Sequence, residues 1–328
     1  MIDLIAIPPS GRQLADWMEL HLIVDEAGSV TRSDLTRAIG SDPLVEEPPD
    51  VFDDFDLDYA SQAAEAGIRF QLHDDDAESV SIADTAISDA IMELEERERA
   101  MQGHSPYTVS GDCVETQNAG TKTVHRFLTL LAARLHYGIG AQLPAKRPAI
   151  LFERVVAVAL RNLLGNGTRF GWPYRESGLE GDFAEASSRL ATMMGERIGN
   201  QYSASRLAKD QGVDVAAWHS FNDGRAHQAI VLCQCGIGQD VDDKALSVDL
   251  WVDVVSFSSL PLKALAFPMN LGEWTEEKQF RRAREAGVLL DRVRLVGLVR
   301  DDDLGQELKQ EVEHWCDQAE GYLPRGAS

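Results

Sequence analysis

Two apolar runs joined by a tight-turn signal constrain this chain more than any other feature. Val213-Asp214-Val215-Ala216-Ala217-Trp218 and Ala229-Ile230-Val231-Leu232-Cys233-Gln234-Cys235 stand on either side of Asn222-Asp223-Gly224. Asn, Asp and Gly tolerate the positive φ angles that tight hairpin turns demand, so the segment predicts a β-hairpin. One polar residue interrupts each run. Alternation along a strand puts Cys233 and Cys235 on one face and Gln234 on the other, where it can approach Asp214.

The neighbouring segments alternate between helical and strand periodicity. Residues 149–164 predict a largely buried helix closed by Gly165, and Asn166-Gly167-Thr168 a turn. Arg169-Phe170-Gly171-Trp172-Pro173 reads as a loop, and residues 182–199 as a helix. After the hairpin come a helix over 242–257, a strand over 264–268, a helix over 275–287 and a strand over 293–299. This order predicts an α/β domain over 146–328, a mixed central sheet flanked by helices. Residues 1–145 predict a mainly α-helical region. Within it, 11–40 form two short helices, the second capped by Thr31 or Ser33, and the pair resembles part of a winged-helix module. A plain packing element is the other reading of that pair. Residues 42–58 are acidic and proline-bearing and predict an exposed loop or linker, and helices are expected over 81–102 and 122–138.

Charge divides the chain in the same place. Residues 1–145 hold 27 Asp+Glu against 9 Lys+Arg, a net of −18 out of −23 for the whole chain. Broad affinity for phosphate needs a basic surface, so the balance excludes indiscriminate nucleic-acid coating and leaves room for a small basic cleft. The first region is expected to dock a protein partner or restrain the second. The four cysteines show no disulfide framework, and no run is long and apolar enough to span a bilayer or to act as a signal peptide. A cytoplasmic protein without membrane contact is expected.

Hydrolysis of a phosphodiester with a metal's help needs hard oxygen ligands and a group that orients water. Asp214 is an acid between two valines, costly unless it faces a cleft, a metal or a partner. An amide oxygen such as that of Gln234 can also ligate a hard cation. Cys233-x-Cys235 has the wrong spacing for structural zinc, and no phosphate-binding G-x-x-x-x-G-K-[ST] loop is present. His219 and His227 flank the turn, where they touch phosphate or are simply exposed. Arg169, Trp172 and Arg175 lie in a loop suited to backbone contact or base stacking, or to loop packing alone.

Taken in order, Gly212-Val213-Asp214-Val215-Ala216-Ala217-Trp218, Asp223-Gly224-Arg225 and Val231-Leu232-Cys233-Gln234-Cys235 resemble the core hairpin of the PD-(D/E)xK nucleases. The likeness is to the bacterial branch with Gln on the second strand, found among restriction and phage-defence enzymes, and it covers about half of the chain. It implies a restriction-endonuclease-like fold and an Mg²⁺- or Mn²⁺-dependent endonuclease acting on DNA. It further implies that Asp214, Gln234 and the helical Glu153 hold the metal. Pairing of Glu153 with Arg154 or Arg161 is the competing account. The family pattern continues Q-x-K, whereas Gly236 follows Cys235 here. Lys244, at the start of the next predicted helix, is the candidate to orient water and meet developing negative charge. The alternative is a catalytically silent nuclease-fold subunit that binds or assembles. In either case the resemblance implies a defence setting, with a partner subunit or a homo-oligomer.

Overall fold

The computed structural model describes residues 11–24, 28–40, 77–101, 103–117, 120–137, 146–179, 181–199, 211–223, 225, 228–238, 241, 244, 246–271 and 275–323. The expected linker at 42–58 lies outside them. The chain divides into two compact units, one of Met1–Glu96, Thr108–Thr116 and Pro324–Ser328, the other of Arg97–Tyr107 and Gln117–Leu323.

In the first unit, α1 (Gly11–Val24) is followed by β1 (Ser29–Thr31) and α2 (Arg32–Gly40). Thr31 caps α2 as expected. Its hydroxyl accepts from the Asp34 N–H at 3.2 Å, and the Asp34 carboxylate accepts from the Thr31 N–H at 3.0 Å, a reciprocal capping box. Residues 29–31 are strand rather than helix, because fully buried Val30 pairs with Val114 of β3 (Cys113–Thr116). The helix α3 (Ala77–Ala100) and β2 (Tyr107–Ser110) precede β3, and the sheet order is β1-β3-β2. The described part of this region is thus helices plus a small sheet.

The second unit is mixed α/β. Its sheet runs β10-β9-β7-β6-β4, made of β4 (Asn166–Arg169), β6 (Val215–His219), β7 (Ala229–Cys235), β9 (Leu262–Ala266) and β10 (Val288–Leu290). The β4, β6 and β7 strands pair antiparallel, and β7, β9 and β10 pair parallel. A short ribbon, β5 (Arg197–Ile198) with β8 (Val255–Ser256), accompanies it. On one face lies α5 (Lys146–Leu164). Gly167, opposite Ala217, makes this approach possible: a Cβ there would stand 2.9 Å from the Ala157 carbonyl oxygen. On the other face Ala216, Trp218, Ile230 and Leu232 pack with Phe183 and Leu190 of α6 (Phe183–Met193) and Trp251 of α7 (Val248–Val254). Helices on both faces explain why both hairpin strands are apolar.

Several sequence expectations shift. Asn166–Arg169 is a strand pairing with β6, not a turn and loop, and the helices expected over 182–199 and 242–257 shorten to α6 and α7. Residues 293–299 are not a strand. Asp291 caps a helix, α9 (Arg292–Leu298), by accepting from the Arg294 N–H at 3.0 Å, and the parallel edge strand β10 comes just before it. Arg292, Leu295, Val296 and Val299 are buried at helical spacing. The helix expected over 275–287 appears as α8 (Glu276–Ala286), capped by Thr275 and ended by Gly287.

The boundary expected at residue 145 moves as well. The helix α4 (Lys122–Tyr137) groups with the sheet, because it packs on α10 (Gly305–Glu320). Phe127 meets Trp315 edge-on at 5.2 Å, and Arg126 bonds Glu320 at 2.5 Å and Asp317 at 2.8 Å. The Asp301 carboxylate accepts from the Thr123 and Val124 N–H groups, capping α4 from 178 and 177 residues away.

Candidate functional site

The regular ladder between β6 and β7 stops at Asp214. Its N–H donates to the Cys233 carbonyl, while its own carbonyl accepts from Phe170 (2.7 Å) and Gly171 (3.0 Å) on the chain leaving β4. The carboxylate then does what a further strand residue would have done: Oδ2 accepts from the Cys235 N–H at 2.7 Å. A charged acceptor there satisfies a strand group that would otherwise be orphaned.

The Cys235 carbonyl is met by Lys244, whose Nζ donates to it at 3.2 Å. A strand residue's N–H and C=O project to the same edge, so Asp214 and Lys244 converge on one edge of β7. Val241 and Lys244 both lie against Gly236. A Cβ at Gly236 would lie 2.7 Å from Val241 Cγ2 and 3.5 Å from Lys244 Cδ. The space a side chain at position 236 would take is therefore occupied by Val241 and by the stem of Lys244. Buried Arg282 of α8 holds both residues, donating to the carbonyls of Lys244 (2.7 Å) and Val241 (3.2 Å). Sequence reasoning missed Arg282; an arginine in an otherwise polar helix gave no sign of burial.

Glu153 pairs with neither Arg154 nor Arg161. Arg154 bonds Glu311 at 2.8 Å, and Arg161 donates to the Asp303 carbonyl. The partner of Glu153 is Arg169, whose Nε lies 2.5 Å from Oε2, with side chains 13% and 3% exposed. The same guanidinium donates to the carbonyls of Trp172 and Pro173 and to Ser177 Oγ. Gly171 fits between: a Cβ on it would stand 2.5 Å from Glu153 Oε2. The Arg175 side chain and His227 lie outside the described residues. His219 is exposed, bonded to the Leu164 carbonyl and set edge-on to Phe221, away from these groups at the hairpin's far end.

Cys235 is buried beneath this edge. Burial pushes its thiol well above the ordinary range, and a hydrogen bond with Cys233 and the charges of Cys233, Asp214 and Glu153 push it the same way. Gln234 lies on the alternate side of the strand. Its Nε2 is 3.4 Å from where a Gly212 Cβ would be, with Leu246 beside it, and its Oε1 is buried without a hydrogen-bond partner.

A hard divalent cation accepts one or two protein oxygens and completes its shell with water and phosphate. The orphaned Oε1 of Gln234 and the Asp214 carboxylate fit that pattern, whereas Glu153 is engaged by Arg169. Among the described residues no group of three His, Cys, Asp or Glu side chains is arranged to hold a metal ion, all four cysteines are free, and no helix is long and apolar enough to cross a membrane. In comparisons with known proteins, no family model, no curated protein and no solved structure matches this chain.

Proposed function

We propose that the second unit is a restriction-endonuclease-like domain that hydrolyses nucleic-acid phosphodiester bonds, with DNA as substrate and Mg²⁺ or Mn²⁺ as cofactor. The observation that carries this reading is the convergence of Asp214 and Lys244 on the two polar groups of Cys235. Asp214 and Gln234 Oε1 would hold the cation, with Glu153 at the rim of the site. A bound cation supplies Lewis-acid stabilisation of the phosphoryl oxygens and lowers the pKa of water. Lys244 presents an ammonium donor to the water or to the developing negative charge. The position of this ammonium is set by Arg282 rather than by strand register. The setting consistent with the resemblance is defence against foreign DNA in the cytoplasm, with a partner subunit or a second copy.

One observation favours a second reading, a silent nuclease-fold subunit that binds or assembles: Glu153 is neutralised by Arg169 instead of facing the Asp214 carboxylate unpaired. Cleavage of supercoiled plasmid with Mg²⁺ or Mn²⁺ separates the two. Asp214→Ala and Lys244→Met are expected to lower cleavage by about 10²–10³-fold, as loss of a group that stabilises developing charge does. Asp214→Ala should lose about 1–3 kcal/mol of stability, because the Cys235 N–H loses its acceptor. A folded Asp214→Ala protein that cuts at the wild-type rate overturns the catalytic assignment. A wild-type protein inert with both metals, alone and with its partner, establishes the silent subunit.

A further inference from the structure

We propose that Trp172 is a stacking platform for an unpaired nucleobase, so that the substrate is single-stranded at or beside the bond that is cut. The proposal rests on the phosphodiesterase reading above and names the substrate class for that site. Trp172 is 55% exposed, although an indole is a large apolar group to leave in water. Its backbone is nonetheless fixed. The buried guanidinium of Arg169 takes the carbonyls of Trp172 (3.1 Å) and Pro173 (3.2 Å), and Glu153 fixes the guanidinium in turn. The preceding residue, Gly171, donates its N–H to the Asp214 carbonyl and leaves no side chain between the loop and the Glu153 carboxylate. An exposed ring on an anchored backbone, one residue from the glycine that abuts the Glu153 carboxylate, has the two properties a stacking platform needs: little ordering cost and a set distance to that carboxylate.

The test uses the full chain in EDTA and measures fluorescence anisotropy of a labelled single-stranded 12-mer of thymidines and of a blunt 12-base-pair duplex. Trp172→Ala is expected to weaken single-strand binding on the order of 5- to 100-fold, and Trp172→Phe by about threefold or less, the range one stacked base provides. Duplex binding should stay unchanged in both variants. Single-strand affinity unchanged in Trp172→Ala, equal loss on strand and duplex, or a wild-type protein that prefers the duplex would overturn the proposal. Thermal melts of both variants exclude a folding defect, and Trp172→Phe keeps the test decisive if the alanine variant is unstable. Plasmid cleavage by Asp214→Ala is scored separately. Trp172-dependent binding without metal-dependent cleavage would remove the catalytic reading and leave the platform standing, and the reverse result would remove the platform alone.

Discussion

Gln234 distinguishes a ligand from a packing residue at the level of one atom. Its Oε1 is buried with no partner, which costs about 1–3 kcal/mol in a folded protein unless something else satisfies it. Gln234→Leu removes the orphan at nearly constant size. The melting temperature without metal is therefore expected to hold or rise, while calorimetric Mg²⁺ affinity and cleavage fall together. Gln234→Glu adds a charge near Asp214 and should be less stable without metal and bind Mg²⁺ more tightly, since unit charges about 4 Å apart interact by roughly 4 kcal/mol near a protein surface. A Gln234→Leu protein with wild-type Mg²⁺ binding would end the ligand role. Asp214 and Gln234 were legible in the sequence because each is the one polar residue in an apolar run. The partner of Glu153 was not legible. Arg169 lies 16 positions away across a helix end, and only the β4 strand brings it there.

At the level of elements, the hairpin and α8 could be read directly from Asn222-Asp223 and from Thr275 with Gly287, since local chemistry at their ends decides them. The α9 helix could not. Val293, Leu295, Gly297 and Val299 alternate like a strand, and the Asp291 cap, which also accepts from the distant Leu271 N–H, settles the segment as helix. In the nuclease reading proposed above, Lys244 does the work of a lysine on the strand, and Val241 and the Lys244 stem both lie against Gly236. Placing a lysine at this position by Gly236→Lys is expected to destabilise by about 1–3 kcal/mol without raising cleavage, because its Cβ would overlap buried Val241. Adding Val241→Ala should recover part of that stability. Chemical denaturation of the single and double variants measures both, and a Gly236→Lys protein as stable as wild type would contradict the described fit.

For the molecule as a whole, the informative surprise is where the sheet-bearing unit begins. Charge and composition change near residue 145, yet α4 lies earlier and is covered by α10 from the far end of the chain. A fragment of residues 146–328 is therefore expected to be poorly soluble or loosened, with Trp315 deprived of Phe127 and Asp301 deprived of the N–H groups it caps. A fragment of residues 97–328 should melt cooperatively. Circular dichroism melts of the two decide the matter, and a cooperative 146–328 fragment would show that α4 is dispensable. The sequence hid this boundary because a helix's partner is set by its apolar face and not by the acidity of its neighbours.

That pairing also orders events during synthesis. The apolar face of α4, with Val124, Phe127, Leu128 and Leu131 fully buried in the finished protein, is made well before α10 exists to cover it. At the usual pace of a ribosome the wait is roughly ten to thirty seconds. For that time the nascent chain carries an apolar helix face whose cover is still untranslated, exposed to whatever apolar surface it meets.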